Sequence, residues 1–155
     1  MSKKAYLISI GCFILGLVLG AIVTIAYSGK VAAEGIFLTR AAELAASSER
    51  ADDAYQHESR PVAIYALSQH LATLKADEEL GANPLTDKLG ISIEMIMTHG
   101  QLAQLYDELG QTNISAQHVV EALRYARDSG TPVWVTNQTA LAKFVGKPGT
   151  GKEIR

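Results

Sequence analysis

The chain alternates between one long apolar block and a series of shorter stretches in which apolar residues recur every three or four positions. From Ala5 to Tyr27 it reads AYLISIGCFILGLVLGAIVTIAY, 23 residues without a charge, an Asn, a Gln or a Pro. As a helix this run rises about 1.5 Å per residue, roughly 34 Å, enough to cross a hydrocarbon core of about 30 Å. It predicts a transmembrane helix over 5–27, preceded by a stub over 1–4. Gly29 and Gly35 are expected to interrupt the exit from it. Beyond them, Phe37, Ala41, Leu44, Ser48, Ala51 and Tyr55 fall on one small-sided helical face. Pro61 opens a second helix, with Ile64, Leu67, Leu71 and Leu74 inward, and Gly81-Ala82-Asn83-Pro84 stops it. A third helix, capped by Thr86 or Asp87, carries Leu89, Ile93, Ile96, Ala103, Tyr106 and Leu109 and ends at Gly110. Thr112 or Asn113 caps a fourth, with Val119, Ala122, Leu123 and Ala126 inward, which terminates at Ser129-Gly130-Thr131-Pro132. No stretch alternates with a strand's period of two, so the fold class expected is all-α: one N-terminal transmembrane helix followed by a small helical domain over 31–132. Residues 133–155 form a docking segment, with a short helix after Thr136, and a loose basic tail.

A cleaved secretory signal is the competing reading of the N-terminus, since Val31-Ala32-Ala33 offers small residues near a cleavage position. The apolar region of such a signal runs about 7 to 15 residues, shorter than this one. Lys30 also stands between the run and the cleavage position, and both features favour retention. A lipoprotein reading of Cys12 lacks the leucine expected in the preceding Ser9-Ile10-Gly11. Lys3, Lys4 and the terminal amine favour a cytoplasmic N-terminus by the positive-inside rule. In a bacterial inner membrane that places the body in the periplasm. Within the run, Cys12, Gly16, Gly20 and Thr24 recur every fourth residue as a stripe of small side chains that includes a GxxxG match. Small residues let helices approach closely in lipid, so the stripe is a candidate helix-packing face toward a second copy or another subunit.

His99 to Arg127, HGQLAQLYDELGQTNISAQHVVEALRYAR, resembles one tetratricopeptide repeat: Leu102 and Ala103, then Tyr106, then Gly110 in the turn, then Ser115, Val119 and Ala122 at the small, large and small positions. The match covers 29 of 155 residues. It departs from the family at His99, where a bulky aromatic is usual, at Ser115 in place of alanine, and in a late closing proline, Pro132. No second copy stands about 34 residues earlier. The resemblance implies a packed helical hairpin and a role in binding other proteins, without chemistry.

Charge and candidate chemistry narrow the picture. Residues 31–130 hold 15 acidic and 7 basic side chains, a balance of −8 within a chain of formal charge −2. An acidic body repels a phosphate backbone, so no nucleic-acid partner is expected. A single Cys excludes an internal disulfide and a cysteine zinc site. Gly146 to Lys152 fits the phosphate-loop pattern, but Glu153 occupies the hydroxyl position, so no nucleotide site is expected. His57, His70, His99 and His118 are spread one per helical segment, without ligand spacing, and a hairpin could bring His70 and His99 together. Asp77-Glu78-Glu79 reads as a solvated run at a helix C-terminus, where the macrodipole disfavours negative charge. Asn137-Gln138-Thr139 matches a glycosylation triplet. No catalytic residue, cofactor or metal site emerges. The function expected is that of a membrane-anchored adaptor or accessory subunit with the lipid bilayer and other protein subunits as partners; the alternative is a membrane-anchored ligand-binding sensor bundle.

Overall fold

The computed structural model describes residues 3–81, 87–130 and 134–149, with side chains from Gly20 onward except those of residues 21 and 22. Among the described residues the chain is entirely helical: α1 (Lys3–His57), α2 (Arg60–Leu80), α3 (Lys88–Glu108), α4 (Thr112–Ser129) and α5 (Gln138–Val145). It divides into two units, Met1–Thr39 and Arg40–Arg155.

The expected break at Gly29 and Gly35 is absent, because α1 runs through both. A mid-helix glycine costs about 1 kcal/mol, and the good helix formers Ala32, Ala33 and Glu34 stand between Gly29 and Gly35. Within the first unit, Thr24 and Thr39 turn their hydroxyls onto the carbonyls of Gly20 and Gly35. Lys30 and Glu34 pair across one exposed turn. Val23, Ile25, Tyr27, Val31, Ile36 and Leu38 all stand exposed. Among the described residues no helix is long and apolar enough to cross a membrane; within the 5–27 run the side chains up to residue 19 and at 21 and 22, those of Cys12 and Gly16 among them, lie outside what is described.

In the second unit, the end of α1 contributes Ala51, Ala54 and Tyr55 to a core completed by Ala63, Leu67, Leu71 and Leu74 of α2, Met95, Ile96, Leu102 and Leu105 of α3, and Ala122, Tyr125 and Ala126 of α4. The inward face foreseen for α2 holds. On α3 the foreseen face is displaced at its ends: Leu89 and Leu109 are exposed, and Met95, Leu102 and Leu105 do the packing. Asp87 caps α3 by accepting a hydrogen bond from the Leu89 N–H at 3.2 Å. Neither Thr112 nor Asn113 caps α4; Gln111 holds that position without a side-chain bond. Gly110 and Gly130 end α3 and α4 with φ of 73° and 66°, backbone that glycine alone adopts at little cost.

Residues 134–146 hold a packed helix. Asn137 caps α5 through the Ala140 N–H, and Val135, Leu141 and Val145 join the core. Gly100 makes this seat possible, since a Cβ there would lie 2.4 Å from Val145 Cγ2. Pro148 and Gly149, foreseen as part of a loose tail, are half-buried: Gly149 lies against the Gln56 backbone, and its carbonyl accepts from Arg60 at 2.9 Å.

Candidate functional site

Three places in the second unit concentrate polar chemistry. The first is the α3–α4 hairpin. The two helices run antiparallel through a three-residue connection, with His99 opposite His118 and Tyr125, and Tyr106 opposite His118. Of the residues read as hairpin packing, Leu102, Ala103, Ser115 and Ala122 are buried, Tyr106 and Val119 are half-buried, and Gly110 has φ 73° in the turn. At the centre, His99 Nδ1 lies 2.9 Å from His118 Nδ1. The Tyr106 ring stacks on His118 with an interplanar angle of 8°, and Tyr125 stacks on His99 at 25°. Tyr125 donates its hydroxyl to Glu78 of α2 and carries the Arg124 guanidinium over its ring. Burial pushes His99 down to about 4, and His118 and Lys75 add to the effect. His118 is lowered as well, chiefly by burial. Burial and the bond to Glu78 raise the Tyr125 phenol.

His70 and His99 do not meet. His70 instead lies in the second place, between α1 and α3, with Nδ1 2.8 Å from Ser47 Oγ and Nε2 3.3 Å from Glu94 Oε2. It borders a cleft of about 440 Å³ floored by Leu44, Leu74 and Ile91 and rimmed by the carboxylates of Glu49, Asp52, Asp87 and Glu94. Serine, histidine and glutamate in line suggest a relay. Ser47, however, also lies 2.9 Å from the Leu44 carbonyl of its own helix, and Ser48 is the serine that borders the cleft. The serine paired with His70 is therefore not one of those that line the cleft. An apolar floor under an acidic rim suits a cationic group with an apolar stem.

The third place is a groove of about 700 Å³ between the hairpin and the α5 segment, with Ala103, Val119 and Leu141 below and Asp107, Glu108, Lys143 and Lys147 at its edges. Gly146, the first residue of the phosphate-loop match, is the C-cap of α5 with φ 79°, so its N–H bonds to Ala142 within the chain. Residues 150–155, which complete that match, lie outside the described residues. Among the described residues no group of three or more potential ligands could hold a metal ion.

The acidic run Asp77-Glu78-Glu79 differs most from its sequence reading. Asp77 is only 4% exposed and receives the Arg40 guanidinium, and Glu78 accepts from Tyr125. Both partners lie on other helices more than 35 residues away in sequence, and no local signal identifies them. Of the stripe in α1, the described members Gly20 and Thr24 are joined by the 2.8 Å hydroxyl bond, and nothing stands within 4 Å of where a Gly20 Cβ would be. No family model, curated protein or solved structure matches the chain.

Proposed function

We propose that this chain is a membrane-anchored adaptor or accessory subunit. The Ala5–Tyr27 run crosses a bacterial inner membrane once with its N-terminus in the cytoplasm, and the acidic helical body, on the periplasmic side, binds other protein subunits or a second copy. The observation that carries this reading is that one helix, α1, bears the uncharged run and also contributes Ala51, Ala54 and Tyr55 to the core of the body. The described large apolar residues of the run, Val23, Ile25 and Tyr27, stand exposed, as residues facing lipid do. In the body, the tetratricopeptide-like hairpin and the groove beside α5 offer a surface for a partner segment, and no chemistry is assigned to it. Membranes solubilised in mild detergent test the proposal: the protein is expected to run above monomer size with a co-purifying partner or copy, and a lone monomer argues against it.

The acidic cleft favours a second reading, a sensor that holds a small ligand between α1, α2 and α3. A thermal-shift screen separates the two readings, since a tight response to a small molecule supports the sensor and none leaves the adaptor.

A further inference from the structure

We propose that the His99–His118 pair is an acid-operated latch on the α3–α4 hairpin: the packed hairpin has no place for a third proton on the two rings, and proton uptake requires α4 to move away from His99.

The argument is one of proton counting. Between two nitrogens 2.9 Å apart there is room for one hydrogen. With none, two lone pairs face each other; with two, the hydrogens collide. Two neutral rings share two protons, one between the Nδ1 atoms and one on an Nε2. His99 Nε2 is buried and has no hydrogen-bond partner, whereas the His118 ring is only half-buried. The neutral pair therefore settles with His99 Nδ1–H donating to His118 Nδ1, a bare His99 Nε2, and the second proton on His118 Nε2. A third proton has two destinations. On His99 Nε2 it creates a buried N–H without an acceptor in a charged ring, and on the inner edge it destroys the Nδ1–Nδ1 bond. Either outcome opposes closure.

The surroundings do not relieve the charge. Lys75 of α2 and Arg124 of α4 both act against a cationic His99, and Glu121 is the one carboxylate that favours it. Glu121 is engaged by Arg124 at 2.8 Å, and Glu78 accepts the Tyr125 hydroxyl. Tyr106 and Tyr125 cover the rings by stacking and offer faces rather than acceptors.

The test follows imidazole resonances and α4 amide exchange on the full chain in detergent between pH 7 and pH 5, with exchange corrected for its intrinsic pH dependence. The latch predicts that His99 and His118 take up protons only as α4 loses protection, and that protection falls more than about tenfold over this range. The variant His99→Phe keeps an aromatic ring against Tyr125 and removes the shared proton, so its α4 protection should be level with pH. Protonation of either ring in the parent while α4 amides stay protected would overturn the latch. A parent whose protection does not change down to pH 5, or a folded H99F that loses it as the parent does, would also overturn it. The parent measurements decide the matter even if H99F does not fold.

Discussion

Arg40 and Asp77 form a buried pair that also closes a helix. The Arg40 Nε donates to Asp77 Oδ1 at 2.7 Å, while its Nη2 donates to the Asp77 carbonyl at 3.0 Å and reaches the Gly81 carbonyl at 3.4 Å. The last turn of α2 contains no basic residue, so α1 supplies the positive charge that a helix C-terminus favours. Arg40 is also the first residue of the second unit.

Asp77→Ala should therefore destabilise the helical body by about 3 kcal/mol or more, since removing one partner strands a buried guanidinium. Arg40→Lys should recover only part of the contact, because an ammonium cannot bond the carboxylate and the two carbonyls in the same planar arrangement. Thermal unfolding of the full chain, followed by far-UV circular dichroism, reads both. A D77A melting temperature equal to that of the parent would show that the pair contributes nothing.

The contrast between this pair and the helix boundaries shows what the sequence could disclose. Pro61, Gly81, Gly110 and Gly130 act through local backbone geometry, so each boundary they mark is legible from its neighbours alone. Asp77 looked like a solvated residue in an unfavourable place because the dipole argument considers only its own helix, and its partner lies 37 positions earlier. The same holds for His99. Its place in a helical hairpin was visible, but its partner depends on the register in which α4 packs on α3, and that register puts His118 opposite it. Gly29 and Gly35 misled in the other direction, since a helix-weakening residue does not end a helix flanked by strong formers.

Gly100 sets the seat of α5. Gly100→Ala should raise α3 propensity by up to about 1 kcal/mol, but the new methyl meets the β-branched and rotamerically stiff Val145. Overpacking of this kind costs about 1–3 kcal/mol, so the net change should be destabilising. The same substitution in a Val145→Ala background should be neutral or favourable. Trp134 packs edge-on against Phe144 of α5 at 5.6 Å, so its fluorescence reports whether the segment has shifted. Equal effects of G100A in the two backgrounds would remove Val145 as the cause.

Stability should fall with acid in a window fixed by His99. Burial holds the folded pKa at about 4, against 6.5 for the free ring. Above pH 6.5 the ring is neutral in both states and contributes no pH dependence. Between pH 6.5 and 4 the unfolded chain binds a proton that the folded chain refuses, so unfolding becomes easier as pH drops. The loss accumulates to about 3 kcal/mol for this ring, and His118, lowered in the same direction, adds to it. Denaturant titrations at pH 7, 6 and 5 on parent and His99→Phe should show a steeper fall in the parent. Parallel lines would assign the acid sensitivity to other groups.

The α1 stripe offers the most direct test of assembly. Association of helices in lipid depends on close packing, and a Leu at both Gly16 and Gly20 holds two backbones apart by a side chain's width, which should weaken pairing by about 1 kcal/mol or more. Nothing of the chain itself stands within 4 Å of a Cβ at Gly20, and the Thr24 hydroxyl is spent on the Gly20 carbonyl. A larger residue at Gly20 therefore meets little within its own chain, so a change in assembly reports on contact between chains. Leu at Val18 and Ile22, on the opposite side of the helix by its 3.6-residue period, should do little. Oxidative cross-linking through Cys12, which shares the stripe, reads self-pairing directly, and co-purification reads pairing with another subunit. If the double-Leu variant assembles as well as the parent, recognition resides in the helical body, where the acidic cleft and the α5 groove are the surfaces to substitute next.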